Sequence, residues 1–211
     1  MGMKTFLFLS SRPQVGKTTV IINTGTALQR SGFRVLLINL KKDDIFRNWL
    51  NLPEPPPGHS MIGATHLGPD AVAGTHLPSS DLGANYDYML IEDDFIGAPL
   101  RTRSLKTDAV CCCFETGQEN LNDLTALAEE LALHNLDVNL YIPCKTLPGE
   151  WEATSSLLMA LAEHIGWEKI ADPLPYCEAI HDLPLLHSSL WDLPSQYRNR
   201  QEAFSSLLHH I

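Results

Sequence analysis

The residues best equipped for chemistry stand near the start of the chain, at Gly16-Lys17-Thr18-Thr19. A lysine followed by a hydroxyl residue at the opening of a helix suits a phosphorylated ligand. The ammonium reaches the β- and γ-phosphates, the Thr18 hydroxyl holds Mg2+, and the helix N-terminus adds converging backbone N–H groups. Such a loop works only between a strand and a helix. Phe6 to Leu9 is an apolar run of strand length, and a polar turn follows it. Ile21, Thr24, Gly25 and Leu28 then recur at helical spacing up to a stop at Gly32. One departure stands out: in the pattern GxxxxGK followed by Ser or Thr, the first glycine position is Ser11. Pro13, inside the loop, has no N–H to offer a phosphate.

A second constellation is Glu92-Asp93-Asp94, at the end of the apolar run Tyr86 to Ile91. Carboxylates at the C-terminal end of a parallel strand stand beside the crevice where α/β sheets bind ligands. There an acid can hold the water shell of a Mg2+ ion, so Thr18 and an acid of this run, which the resemblance given below places at Glu92, are the expected metal residues. An ordinary acidic turn would look the same in sequence. His59, His66 and His76 match no metal-ligand spacing and are read as solvated loop residues. Cys111, Cys112 and Cys113 are consecutive in a strand-like run, so alternate side chains face opposite ways and cannot converge on one ion. They are read as small packing residues.

The elements that must position these groups follow in order. Phe33 to Leu40 is a second continuous apolar strand, as expected for a parallel strand covered on both faces. Residues 51–85, rich in Pro and Gly, are expected to be irregular, with room for a short strand at Ala73 to Leu77. Ala98 to Lys106 is a locally basic connection leading to a strand at Ala109 to Phe114. Asn120 is placed to cap a helix running to about His134. A strand at Val138 to Ile142, a helix from Glu152 to Ile165 closed by Gly166, a weak edge strand at Lys169 to Leu174 and a last helix from about Pro194 complete the chain. One α/β domain over residues 1–211 is predicted, with three α/β/α layers around a mostly parallel sheet of P-loop NTPase type.

The net charge of -10 is uneven. Residues 1–50 hold eight Lys or Arg against two Asp or Glu, and the remainder holds seven against 23. The positive start suits a phosphate site, while the acidic remainder makes nucleic-acid binding weak or absent and disfavours anionic lipid. No stretch reaches membrane-spanning length and no signal peptide is recognisable, so the cytoplasm is expected. The last helix, with only Arg198 and Arg200 as fixed positives, is expected to pack on the sheet rather than anchor to a membrane.

In this order of elements the chain resembles the ParA/MinD family of deviant Walker A ATPases, a SIMIBI-class group, over nearly its full length. The family's KGGxGKTT aligns with Arg12-Pro13-Gln14-Val15-Gly16-Lys17-Thr18-Thr19, its LLIDxDxQ with Leu36 to Lys42, and its YDYIIIDxPP with Tyr86 to Asp94. Thr107 to Val110 and the Leu-rich helix after them look like the family's next segment. Pro175 to Ala179 and Ile180 to Leu193 look like its adenine loop and following helix. The resemblance implies ATP or ADP with Mg2+, held by Ser11 to Thr19 and Pro175, with a homodimer forming around the nucleotide. It places Arg12, Lys17 and Asn39 in the catalytic positions: the signature lysine is matched by Arg12 and the water-orienting aspartate by Asn39. Arginine keeps the charge of the first, but an amide cannot act as the base of the second. The second acidic position is Lys41, and a longer Glu92 stands at the Mg2+-linked aspartate. These substitutions point to slow or absent hydrolysis in a protein that positions or assembles cargo, with a small or basic protein partner. Two alternatives remain open: a nucleotide-free relative serving as an interaction subunit, and a small-molecule enzyme of the dethiobiotin synthetase type with Lys41 and Lys42 holding an anionic substrate.

Overall fold

A computed structural model of the chain describes residues 2–41, 44–56, 59–73, 85–94 and 106–211. Lys42, His76, most of the basic connection after Ala98, and all of the strand expected at Ala73 to Leu77 except Ala73 lie outside the described residues. Among the described residues seven strands make one sheet: β1 (Lys4–Leu9), β2 (Val35–Asn39), β3 (Met61–Ala64), β4 (Asp70–Ala73), β5 (Tyr88–Glu92), β6 (Ala109–Glu115) and β7 (Val138–Cys144). Their order is β3-β4-β2-β5-β1-β6-β7, and every pairing is parallel except β3 with β4. The central strands are buried almost end to end, which is why their sequences are continuously apolar.

Helices cover both faces. On one side lie α1 (Lys17–Arg30), the short α2 (Ile45–Trp49), α5 (Glu178–His181) and α6 (Arg198–Leu207); on the other lie α3 (Leu121–Ala132) and α4 (Trp151–Ile165). Alternation along β1 divides the core: Phe6 and Phe8 pack with Val20 and Phe204, and Leu7 and Leu9 pack with Leu124 and Leu161. The cysteines divide likewise, Cys111 and Cys113 with Cys144 on the α1 side and Cys112 on the other, all as free thiols. Helix α1 lies close on β2, where a Cβ added at Gly25 would come within 2.5 Å of Leu37 Cδ2. Phe204, Leu207 and Ile211 bury the last helix in the α1-side core. No helix among the described residues is long and apolar enough to cross a membrane.

Three expectations are corrected. The described part of residues 51–85 is less irregular than its composition suggests. β3 turns through Thr65–Pro69 into β4, whose Leu36↔Asp70 to Asn39↔Ala73 register adds it beside β2. The strand expected at Lys169 to Leu174 is reduced to one isolated bridge, Ile170 to Tyr141, with a second from Pro175 to Thr146 just beyond it, because Pro173 and Pro175 have no N–H for a ladder. The helix expected from Ile180 to Leu193 stops at His181, Pro184 blocks its continuation, and the chain proceeds through a 3-10 turn at Leu190–Asp192.

Candidate functional site

The site forms because the ends of three central strands are level. Phe8 and Asn39 both stand opposite Glu92 in the ladders of β5, so the chain leaves β1, β2 and β5 at one edge. Beyond β1 it turns through residues 10–16 into α1. Gln14 at φ 60° and Gly16 at φ 109° take left-handed conformations, the second a geometry that a side chain would strain. An added Cβ at Gly16 would also touch Cys144 Cβ at 3.6 Å. No side chain caps α1, and its first turn holds no acid, so the N–H groups and positive dipole end stay available for an anion.

Lys17 is turned inward with only 3% of its side chain exposed, an expensive place for a cation unless it is paired. Its Nζ donates to Ser10 Oγ and lies 3.4 Å from Asp94 Oδ1. Ser10 Oγ donates in turn to the Arg12 carbonyl at 2.5 Å. Thr18 Oγ1 stands 2.8 and 3.0 Å from the two oxygens of Glu92, and Lys41 Nζ donates to Glu92 Oε1 at 3.2 Å. Glu92 is fully buried. Burial pushes its carboxyl above the ordinary carboxylate range, against the opposing pull of Lys41, Thr18 and Lys17.

A cavity of about 570 Å³ opens over these groups. Residues 13–19 of the loop form one wall, Lys41, Glu92 and Asp94 its polar floor, and Pro175 to Cys177 the opposite wall. It continues past Ile45, Trp49 and Phe204 into an apolar end. The structure thus brings Pro13 to Thr19, Glu92 and Pro175 around one space. Ser11 and Arg12 are turned elsewhere: Ser11 Oγ donates to Glu119, and Arg12 Nη2 donates to Asp123 at 3.2 Å, on the solvent side. Asn39 lies just beneath the edge, where its Oδ1 accepts the Lys41 N–H at 2.7 Å and its buried Nδ2 has no hydrogen-bond partner among the described residues. Sequence reasoning did not single out Ser10, Glu119 or Cys144 as site residues. Each is identified only by what it touches across the fold, 7 residues away for Ser10 with Lys17 and 108 for Glu119 with Ser11.

Mg2+ would be expected between the Thr18 hydroxyl and the Glu92 carboxylate. Both oxygens of Glu92 are already engaged there, and two ammonium groups balance its charge and that of Asp94. The arrangement does not fit the ion well, and no group of three His, Cys, Asp or Glu side chains among the described residues offers another place.

No family model matches the sequence, and neither does any curated protein. Solved structures do. The ATP complex of a McdA variant from Cyanothece superposes with a TM-score of 0.78 at 15% identity, covering 99% of this chain and 96% of that one. The MinD cell division protein of Aquifex aeolicus in complex with MinC gives 0.75 at 17%, covering 96% and 93%. Cobyrinic acid a,c-diamide synthase from Mycobacterium smegmatis, with an ATP analogue and magnesium, gives 0.72 at 14%, covering 99% and 95%. Identities this low speak for the fold, and with the strand, loop and helix around Lys17 they define it: the chain has the three-layer P-loop NTPase fold in the form seen in McdA and MinD.

Proposed function

We propose that this chain is a nucleotide-binding protein of the ParA/MinD type, in which ATP holds two copies together as a dimer that positions or assembles cellular cargo. The observation that carries the reading is the buried Lys17 ammonium at the uncapped start of α1, facing a cavity whose far wall is Pro175 to Cys177. A cation held out of water beside free N–H groups is suited to phosphate, and the opposite wall leaves room for a base. The ATP-bound McdA structure and the MinC-bound MinD structure support extending this reading to a nucleotide and a protein partner.

Turnover is slow or absent. At the position that would orient water, Asn39 is an amide whose oxygen already accepts the Lys41 N–H, and it cannot take a proton. Arg12 in this conformation serves Asp123. The acidic charge balance suits a small or basic protein partner and makes nucleic-acid binding weak or absent. The cytoplasm, where free thiols persist, is the compartment this reading assigns.

One observation favours a second reading, a small-molecule enzyme. The cavity extends beyond the loop past Lys41 to Ile45, Trp49 and Phe204, a polar floor with an apolar end as substrate pockets have. Calorimetry decides the first point. ATP is expected to bind wild-type protein and to bind Lys17→Ala at least about tenfold more weakly, the loss of one charge-assisted contact. Equal binding by both proteins, or by neither, would sink the reading.

A further inference from the structure

We propose that the ammonium of Lys41 takes the place of Mg2+ in this site, so that the chain binds its nucleotide without a divalent ion. The inference rests on the nucleotide-binding reading and concerns only what neutralises the phosphates.

The fold aims Lys41 at this position. Leu40 N donates to Glu92 O at 2.9 Å, which prolongs the pairing of β2 with β5 one residue past the strand. Asn39 Oδ1 then captures the Lys41 N–H at 2.7 Å, a local turn of the kind Asn side chains make. The result is a lysine directed back over the sheet edge, its side chain only 11% exposed, with Nζ 3.2 Å from Glu92 Oε1 and 3.9 Å from Asp94 Oδ1. Asn39 thereby has a job that needs no catalysis: it positions Lys41.

The occupied point is the one a metal would use. In a P-loop the ion sits by the hydroxyl that follows the lysine and by an acid at a strand end. Here those groups are Thr18 and Glu92, bonded to each other at 2.8 Å, with Lys41 as the third member. Mg2+ dehydrates reluctantly and keeps near-ideal octahedral oxygen geometry at about 2.0–2.1 Å. It would have to win Glu92 from a lysine already in contact and lie close to two ammonium groups, Lys17 and Lys41, that repel it. Each of the two carboxylates of the floor, Glu92 and Asp94, already lies within ion-pair distance of one of those lysines. Triphosphate, in contrast, meets two cations that line the same cavity. A tethered ammonium gives one positive charge at no cost in translational entropy, which is the advantage it has over a free ion.

The test is equilibrium binding of ATP to the full chain, once with excess EDTA and once with excess MgCl2, for wild type, Lys41→Met and Lys41→Arg. Wild-type binding is expected to persist in EDTA and to be no tighter in excess MgCl2, where the ion competes in solution for the triphosphate. Lys41→Met keeps the volume and removes the charge. It is expected to bind about tenfold or more weakly in EDTA and to recover with Mg2+, while Lys41→Arg, which keeps a fixed cation, stays close to wild type. Electron paramagnetic resonance with Mn2+ as the probe adds a readout independent of affinity. Nucleotide should leave Mn2+ free of the wild-type protein and recruit it to Lys41→Met. Wild-type binding that vanishes in EDTA and returns with Mg2+ overturns the inference while leaving the nucleotide reading intact. Absence of binding under both conditions overturns both.

Discussion

Removing Asp123 separates the stability of the loop's surroundings from the ligand site. Its Oδ2 accepts the Asn120 N–H at 3.1 Å, the return half of a capping box whose other half runs from Asn120 Oδ1 to the N–H groups of Asn122 and Asp123. The same oxygen receives the Arg12 guanidinium at 3.2 Å. In Asp123→Ala the lost cap bond and dipole interaction at the start of α3 cost about 1 kcal/mol. The ion pair, whose side chains are 44% and 31% exposed, adds only about 0.2–1 kcal/mol because water screens it. About 1–2 kcal/mol in total corresponds, for a chain of this size, to a fall in Tm of roughly 3–6 °C. Circular dichroism on heating measures that, and an ATP titration on the same samples measures the rest. Affinity is expected to hold or improve, since the guanidinium is released from its carboxylate beside the loop. In the double variant with Arg12→Ala, the coupling between the two sites is expected to stay below about 1 kcal/mol. An Asp123→Ala protein with unchanged Tm and weakened ATP binding would refute this division of roles.

Two further outcomes are expected. Burial pushes Glu119 above the ordinary carboxylate range despite the bonds from Ser11 and the Glu115 N–H, so its contribution to stability is complete at low pH and shrinks as pH rises through the raised value. Asp87, held down to about 2 by hydrogen bonds from Arg34, contributes in the opposite sense and loses its share only as pH falls toward that value. Relative to wild type, Glu119→Gln should therefore gain stability as pH rises above the ordinary carboxylate range in urea titrations; a constant difference would exclude the assignment. Among the thiols, Cys111, Cys112, Cys113 and Cys144 are buried and Cys177 is partly exposed on the cavity wall. A disulfide reagent should modify one thiol quickly in native protein and that phase should vanish in Cys177→Ser. Bound ATP should slow it, and an unprotected Cys177 would place the ligand elsewhere.

Much of this architecture is written locally. Phe6 to Leu9, Val35 to Ile38 and Met89 to Ile91 are continuous apolar runs because each is covered on both faces, and such runs name central parallel strands before any partner is known. The helix after Gly16 and the Asn120 cap depend on neighbours three or four residues away. The β3–β4 hairpin was hidden because the exposed residues Met61 and Ile62 sit on an edge where no alternation is imposed. The short α5 was hidden by a helical pattern that Pro184 interrupts.

The sequence by itself determined that a polar Gly-Lys-Thr loop stands between an apolar strand and a helix, because those features need only residues adjacent in the chain. Where the charged side chains around that loop point was decided by the tertiary structure. Arg12 meets Asp123 across 111 residues, and Lys41 meets Glu92 across 51. Both pairings follow from the strand order, which sets β2 beside β5 and β6 beside β1 and makes neighbours of loops the chain keeps far apart. A long cation settles on whichever carboxylate its fold brings within reach, and no local pattern records that choice.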